Sequence, residues 1–191
     1  MAALLSVEER RRILKAEGFV YSKKGITSFQ KKYMKRKSDA DGIWGHDTDR
    51  LARTCDNVRK NTKNFTTDEF ACSCNGKYCC GFPDVMQPEV LRNIQTIRSH
   101  YGRPITVTEG LRCKKQNAET GGSVQNSGHR YGKAIDFYQK GVTDTLANRK
   151  KSLKWIKTLP DHKYSYGNGI NSNGKPVNAR NMGNARHTET K

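Results

Sequence analysis

The sequence predicts an α+β protein in which a small N-terminal three-helix module precedes a mixed α+β domain. Three observations carry that reading. Apolar residues before about residue 60 recur at helical spacing among charged ones. A polar, basic stretch at 57–64 lacks any such period and has the character of a linker. Beyond Phe65, β-branched runs at 104–108 and 134–138 alternate with helical patterns at 88–100 and 144–159. A chain of 191 residues accommodates a small domain joined to a medium one, with boundaries at 1–60 and 64–191.

The first helix carries Leu5, Ile13 and Leu14 among charges, has Ser6 as its cap and ends at Gly18. A second spans about 27–34, a turn follows at 38–42, and a third covers about 47–59. In the second part, a cysteine-rich loop leads into a helix where Val90, Leu91, Ile94, Ile97 and Tyr101 form one apolar stripe, opened by Pro88 and closed by Gly102. The two strands follow, separated by a glycine-rich loop. After the helix at 144–159 comes a Gly/Asn-rich tail at 167–183.

Thirty-six Lys and Arg against 18 Asp and Glu leave a formal charge of +18, which calls for a polyanionic partner such as nucleic acid or anionic cell wall. No helix-turn-helix, zinc-finger or aromatic RNA signature supports nucleic acid. The apolar run at residues 2–5 is too short for a signal peptide or membrane helix. The expectation is a soluble monomer made in the cytoplasm, without membrane insertion. If its substrate lies outside the membrane, another agent, such as a phage lysis system, carries it there.

Four of the six cysteines crowd together as Cys72, Cys74, Cys79 and Cys80. Their C-x-C-x4-C-C spacing departs from the paired C-x2-C knuckles of ordinary zinc sites. It favours buried thiols, or a disulfide to Cys55 or Cys113, over a structural zinc.

The chemistry concentrates in Ser127-Gly128-His129-Arg130-Tyr131-Gly132-Lys133-Ala134-Ile135-Asp136, where a His on a turn is followed seven residues later by an Asp on a strand. Both side chains are good zinc ligands, and chain reversal at Gly132 brings them toward a shared ion. A catalytic zinc needs a third protein ligand and an open position. Of His46, His100, His162 and His187, the last is preferred because it sits near the end of a final strand. His46 belongs to the helical module and His100 closes an amphipathic helix.

The decapeptide resembles the S-x-H-x-x-G-x-A-x-D signature of the zinc D-Ala-D-Ala carboxypeptidases and related phage endolysin peptidases, the M15-like group that shares its fold with lysostaphin and the hedgehog signalling domain. Every fixed position matches. Gly110-Leu111-Arg112-Cys113, Asn117 and Gly121-Gly122 resemble the family's S-G-Y-R-C, N and G-G elements, with Glu109 and Leu111 replacing Ser and Tyr. Arg186-His187-Thr188-Glu189 resembles its closing H-x-D. The resemblance implies one catalytic zinc on His129, Asp136 and His187, with Arg112 binding or polarising the substrate carbonyl or carboxylate. Ser127 and Tyr131 are candidate substrate contacts, and Ser127 also suits a side-chain bond that steadies the loop.

Zinc peptidases need a carboxylate proton acceptor, yet Asn184, Ala185 and Arg186 before His187 offer none. Glu189 shares a strand face with His187 at about 7 Å, which makes it the candidate base or the group that orients the water; Glu109 is its rival. In the N-terminal part, Phe29-Gln30 and Asp41-Gly42-Ile43-Trp44-Gly45-His46-Asp47-Thr48 resemble the F-Q and D-G-x-x-G-x-x-T elements of the three-helix peptidoglycan-binding domain. There Thr48 caps the third helix, and Phe29, Ile43, Trp44 and Leu51 form the small core. Together the resemblances imply an endolysin-like enzyme that hydrolyses a peptide bond in bacterial peptidoglycan, aided by attraction to anionic wall polymers. The competing readings are an inactive wall-binding protein altered at Leu111, Arg186 and Glu189, and a basic nucleic-acid-binding protein.

Overall fold

A computed structural model describes residues 3–179 and 182–191. Ala2 of the N-terminal apolar run and positions 180–181 of the Gly/Asn-rich tail lie outside the described residues. Helix α1 (Val7–Ala16) starts from Ser6, whose hydroxyl accepts from the Glu9 amide while the Glu9 carboxylate accepts from the Ser6 amide, a capping box. Helix α2 (Lys23–Tyr33) begins earlier than its apolar period suggests, because Ser22 caps it by accepting from the Gly25 amide. Helix α3 (His46–Asn61) starts at Gly45 rather than at a Thr48 cap. Thr48 lies inside the helix, where its hydroxyl accepts from Gln30 Nε2 at 2.8 Å. Gln30 Nε2 also donates to the Ile43 carbonyl at 3.0 Å, and Gln30 Oε1 accepts from the Gly42 amide at 2.8 Å. The turn that delivers this carbonyl sends the Ile43 side chain outward. It is exposed, whereas Phe29, Trp44 and Leu51 are buried.

The stretch expected as a linker is helical through Asn61. Its polar residues are used: Asn57 Nδ2 donates to the Met86 carbonyl at 2.9 Å, and the Lys63 and Asn64 amides both donate to Gln95 Oε1. Val58 between them is buried. Polarity here reflects specific bonding, not a free connector. Buried apolar residues from Leu5 to Leu159 form one continuous cluster, so α1–α3 share their core with the rest of the chain.

Helix α4 (Pro88–Tyr101) opens on Pro88 and closes on left-handed Gly102. Strand β1 (Ile105–Glu109), helix α5 (Lys114–Glu119), strand β2 (Ala134–Gln139) and helix α6 (Leu146–Ile156) follow, then β3 (His162–Gly167), β4 (Ile170–Asn171) and β5 (Arg186–Thr190). Helix α6 is shorter than expected because Thr145 caps it, accepting from Asn148, while Asp144 turns to Arg149 and Arg186 at 2.9 and 3.1 Å. Helix α5 and strands β3 and β4 are additions to the predicted elements.

The sheet is antiparallel throughout, in the order β1-β2-β5-β3-β4. Alternation along β2 sends Ile135 and Phe137 into the core that α4 covers and Asp136 to the opposite face. On that face Glu109, Asp136, His187 and Tyr166 stand directly opposite one another across four strands. A bulge between Val107 and Glu109 puts Glu109, not Thr108, across from Asp136. Among the described residues no helix is long and apolar enough to cross a membrane.

Candidate metal centre

His129 lies on a single 3-10 turn, Gly128–Tyr131, that ends at Gly132 with φ 63°. A Cβ at position 132 would sit 2.0 Å from the Val85 carbonyl oxygen, so this reversal requires glycine on both conformational and steric grounds. The reversal carries the chain from His129 into β2, and register with β5 adds His187. The three side chains meet: His129 Nε2 is 3.4 Å from Asp136 Oδ2, His187 Nδ1 is 2.7 Å from Asp136 Oδ1, and one ligand atom from each lies within 4.8 Å of the others.

Each ligand is held from behind. His129 Nδ1 donates to the Gly110 carbonyl at 2.8 Å, which leaves Nε2 free for a cation. The Tyr166 ring stacks on His187 with centroids 4.5 Å apart. His187 turns Nδ1 to Asp136 and Nε2 toward Glu189 Oε2 at 3.7 Å, while Glu189 Oε1 accepts from Lys163 at 2.7 Å.

Electrostatics follow from this packing. Burial alone would raise the Asp136 carboxyl, but the His187 and His129 imidazoles hold it far below the usual carboxylate range. Burial opposes charge on His187 as well, yet Asp136 and then Glu189 raise it to about 9. Glu189, despite burial, is brought down to about 2 by His187 and Lys163. The negative charge kept on Asp136 between two imidazoles is what a shared cation would meet.

The site opens onto a cleft of about 730 Å³ walled by Arg112, Asp136, Tyr164, Tyr166 and the loops around Gly121 and Val177. Arg112 is buried, with its amide donating to the His129 carbonyl at 3.0 Å and its guanidinium 3.4 Å from Glu109. Arg112 Nε, and Oε1 of Glu109 beside it, are buried without a hydrogen-bond partner among the described residues. Such orphans are expected where water and substrate belong. The borderline-soft His-Asp-His donor set with an open side suits a catalytic zinc.

Of the residues singled out from sequence, His129, Asp136, His187 and Arg112 converge. Glu189 flanks His187 from outside the cleft wall. Ser127 is buried and steadies the turn through its backbone, its amide donating to Val124 and its carbonyl accepting from Arg130; its hydroxyl makes no cap bond. Tyr131 is exposed beside Arg130 and is not among the residues that wall the cleft. Sequence reasoning missed Tyr164, Tyr166 and Lys163. Their signal was the aromatic alternation Tyr164-Ser165-Tyr166, a strand pattern obscured by the Gly/Asn-rich residues that follow.

A carboxylate and an imidazole on an antiparallel sheet, a second imidazole on the adjoining turn and an arginine-lined cleft together make a group that could hold a metal ion. The family model of peptidase M15 matches residues 63–165, and the chain belongs to that family. The matched span contains Arg112, His129 and Asp136; His187 lies beyond it and joins them through the β2–β5 register. Searches of curated proteins and of solved structures give no match.

Proposed function

We infer that the protein is an endolysin-like zinc peptidase that hydrolyses a peptide bond in bacterial peptidoglycan. The observation that carries this is the row Glu109–Asp136–His187–Tyr166, capped by His129 and open to a cleft that Arg112 lines. His129, Asp136 and His187 would hold the zinc ion, which would supply Lewis acidity toward a water and the scissile carbonyl. Arg112 binds the substrate carbonyl or a neighbouring carboxylate, a role that suits a buried guanidinium with an unpartnered Nε. Glu109 takes the proton of the attacking water at its unpartnered Oε1. Glu189 orients His187 through Nε2, with its own charge set by Lys163.

The departures from the family's motifs do not favour an inactive binding protein. Leu111 is packed in the core, and Arg186 forms a buried ion pair with Asp144 on the far side of β5 from the ligands. Residues 1–60 are proposed to target the enzyme to the wall and 64–191 to form the peptidase. Support comes from a groove of about 400 Å³ lined by Gln30, Asp41, Ile43 and Thr48, the residues of the peptidoglycan-binding resemblance. The charge of +18 favours anionic wall polymers as well. We place its action at the wall after synthesis in a host cytoplasm, as a monomer. The test is mass spectrometry of purified peptidoglycan after digestion. New peptide ends that vanish with a chelator and return with zinc are expected; intact muropeptides at all zinc levels overturn the reading.

A further inference from the structure

The four cysteines that meet are not the four that crowd together in the sequence. Cys72, Cys74, Cys79 and Cys113 bring their sulfurs within 4.8 Å of one another, while Cys80 joins the main core. All six cysteines are unbridged thiols, and Cys74 Sγ and Cys79 Sγ stand 3.5 Å apart, well beyond the roughly 2.05 Å of a disulfide. Tetrahedral zinc with Zn–S bonds of about 2.3 Å holds sulfurs about 3.8 Å apart, the separation this cluster approaches. The sulfurs also accept backbone bonds in the manner of metal-bound thiolates: Cys113 N donates to Cys72 Sγ at 3.3 Å and Gln116 N to Cys113 Sγ at 3.4 Å.

The surroundings explain why a cluster of thiols would need an ion. The chain from 71 to 87 has no helix or strand, and the cysteines form a small core of their own with Tyr78 packed against it. Long irregular segments need an anchor other than apolar burial. Four thiolates around a divalent ion carry net negative charge, and Lys77 and Lys115 lie over the Tyr78 ring beside them. We propose that Cys72, Cys74, Cys79 and Cys113 bind a second, structural zinc that pins the 71–82 loop to the β1–α5 turn. That turn is the one that carries Arg112, and Gly110, two residues before it, accepts from His129. A closed four-thiolate shell leaves no position for substrate, so this ion positions the catalytic groups without taking part in the reaction.

The inference is independent of the catalytic reading, and the test keeps the two apart. Full-length His129→Ala/His187→Ala, purified reduced and without chelator, is expected to retain about one zinc per chain where the wild type holds about two. Cobalt substitution of that variant should give the intense near-ultraviolet charge-transfer bands of a tetrahedral thiolate site. Cys79→Ser in the same background should lose both the metal and those bands. Should the double variant fold poorly, wild-type stoichiometry and the cobalt thiolate bands decide the matter. A wild type that holds a single zinc and shows no thiolate bands overturns the proposal. So does a mass shortfall of two hydrogens locating a disulfide within the cluster.

Discussion

Replacing Gly132 with alanine tests whether the reversal between His129 and Asp136 is the keystone of the site. A left-handed alanine costs about 1–2 kcal/mol. The new Cβ would also meet the Val85 oxygen at 2.0 Å and the Met86 Cα at 2.9 Å, both main-chain atoms. That segment has little freedom to retreat. Met86 N donates to Thr54 Oγ1 at 3.2 Å, Asn57 Nδ2 to the Met86 carbonyl at 2.9 Å, and Gln87 N to the Gly132 carbonyl at 2.9 Å. Losing one of these bonds adds about 1 kcal/mol, for a total of about 2–4 kcal/mol with the steric shift. The assay is urea unfolding of chelator-treated protein, since bound zinc would mask the loss by mass action. Zinc affinity of the same variant should fall because the turn carries a ligand. Gly121→Ala is the control: its Cβ would meet nothing within 4 Å, and its stability should stay within about 0.5 kcal/mol of wild type. A Gly132→Ala protein that unfolds within about 1 kcal/mol of wild type and binds zinc normally would refute the reasoning.

Glu109→Gln should keep full zinc while kcat falls at least about 100-fold, and Glu189→Gln should weaken zinc about 10–100-fold with smaller loss of kcat at saturating metal; zinc binding and turnover, measured together, would transfer the base role to Glu189 if the pattern reversed. Asp56 is held well below its ordinary value because Arg12, Lys60 and Arg59 outweigh the effect of burial. A depressed carboxyl stabilises the fold above its unfolded pKa of about 4 and loses that contribution as pH falls. Asp56→Asn should therefore cost about 1 kcal/mol at neutral pH, a figure discounted because the three cations are exposed, and urea midpoints of variant and wild type should converge in acid. Ile43→Ser, a change confined to the exposed groove of the N-terminal helices, should weaken sedimentation with intact sacculi and leave hydrolysis of soluble muropeptides unchanged; equal sedimentation would remove that groove from wall targeting.

The parts of the site legible in the sequence were those encoded locally. His129, Gly132 and Asp136 lie within one turn and one strand, so spacing sufficed. His187 was reachable because a terminal β pattern put it on a strand, although its placement beside Asp136 depends on a β2–β5 register that spans 51 positions of sequence. The same non-local dependence hid Tyr166, which pairs with His187 across β3 and β5, and the bulge that sets Glu109, named from sequence only as the rival base, opposite Asp136. The cysteine cluster shows the limit most clearly. Sequence proximity grouped Cys80 with its neighbours, whereas the fold brings Cys113 in from 41 positions beyond Cys72. Residues 57–64 read as a connector from sequence because their polarity is visible there and the partners of those polar groups on α4 and at Met86 are not.

The most direct measurement is digestion of a purified muropeptide in oxygen-18 water by the zinc-loaded full chain and by Asp136→Asn, read by mass spectrometry. The wild type should create a new carboxyl carrying the heavy oxygen and lose this activity on chelation, while Asp136→Asn should bind less zinc and cleave at least about 100-fold more slowly. Cleavage by Asp136→Asn at the wild-type rate, or cleavage indifferent to chelator, would contradict a peptidase centred on His129, Asp136 and His187.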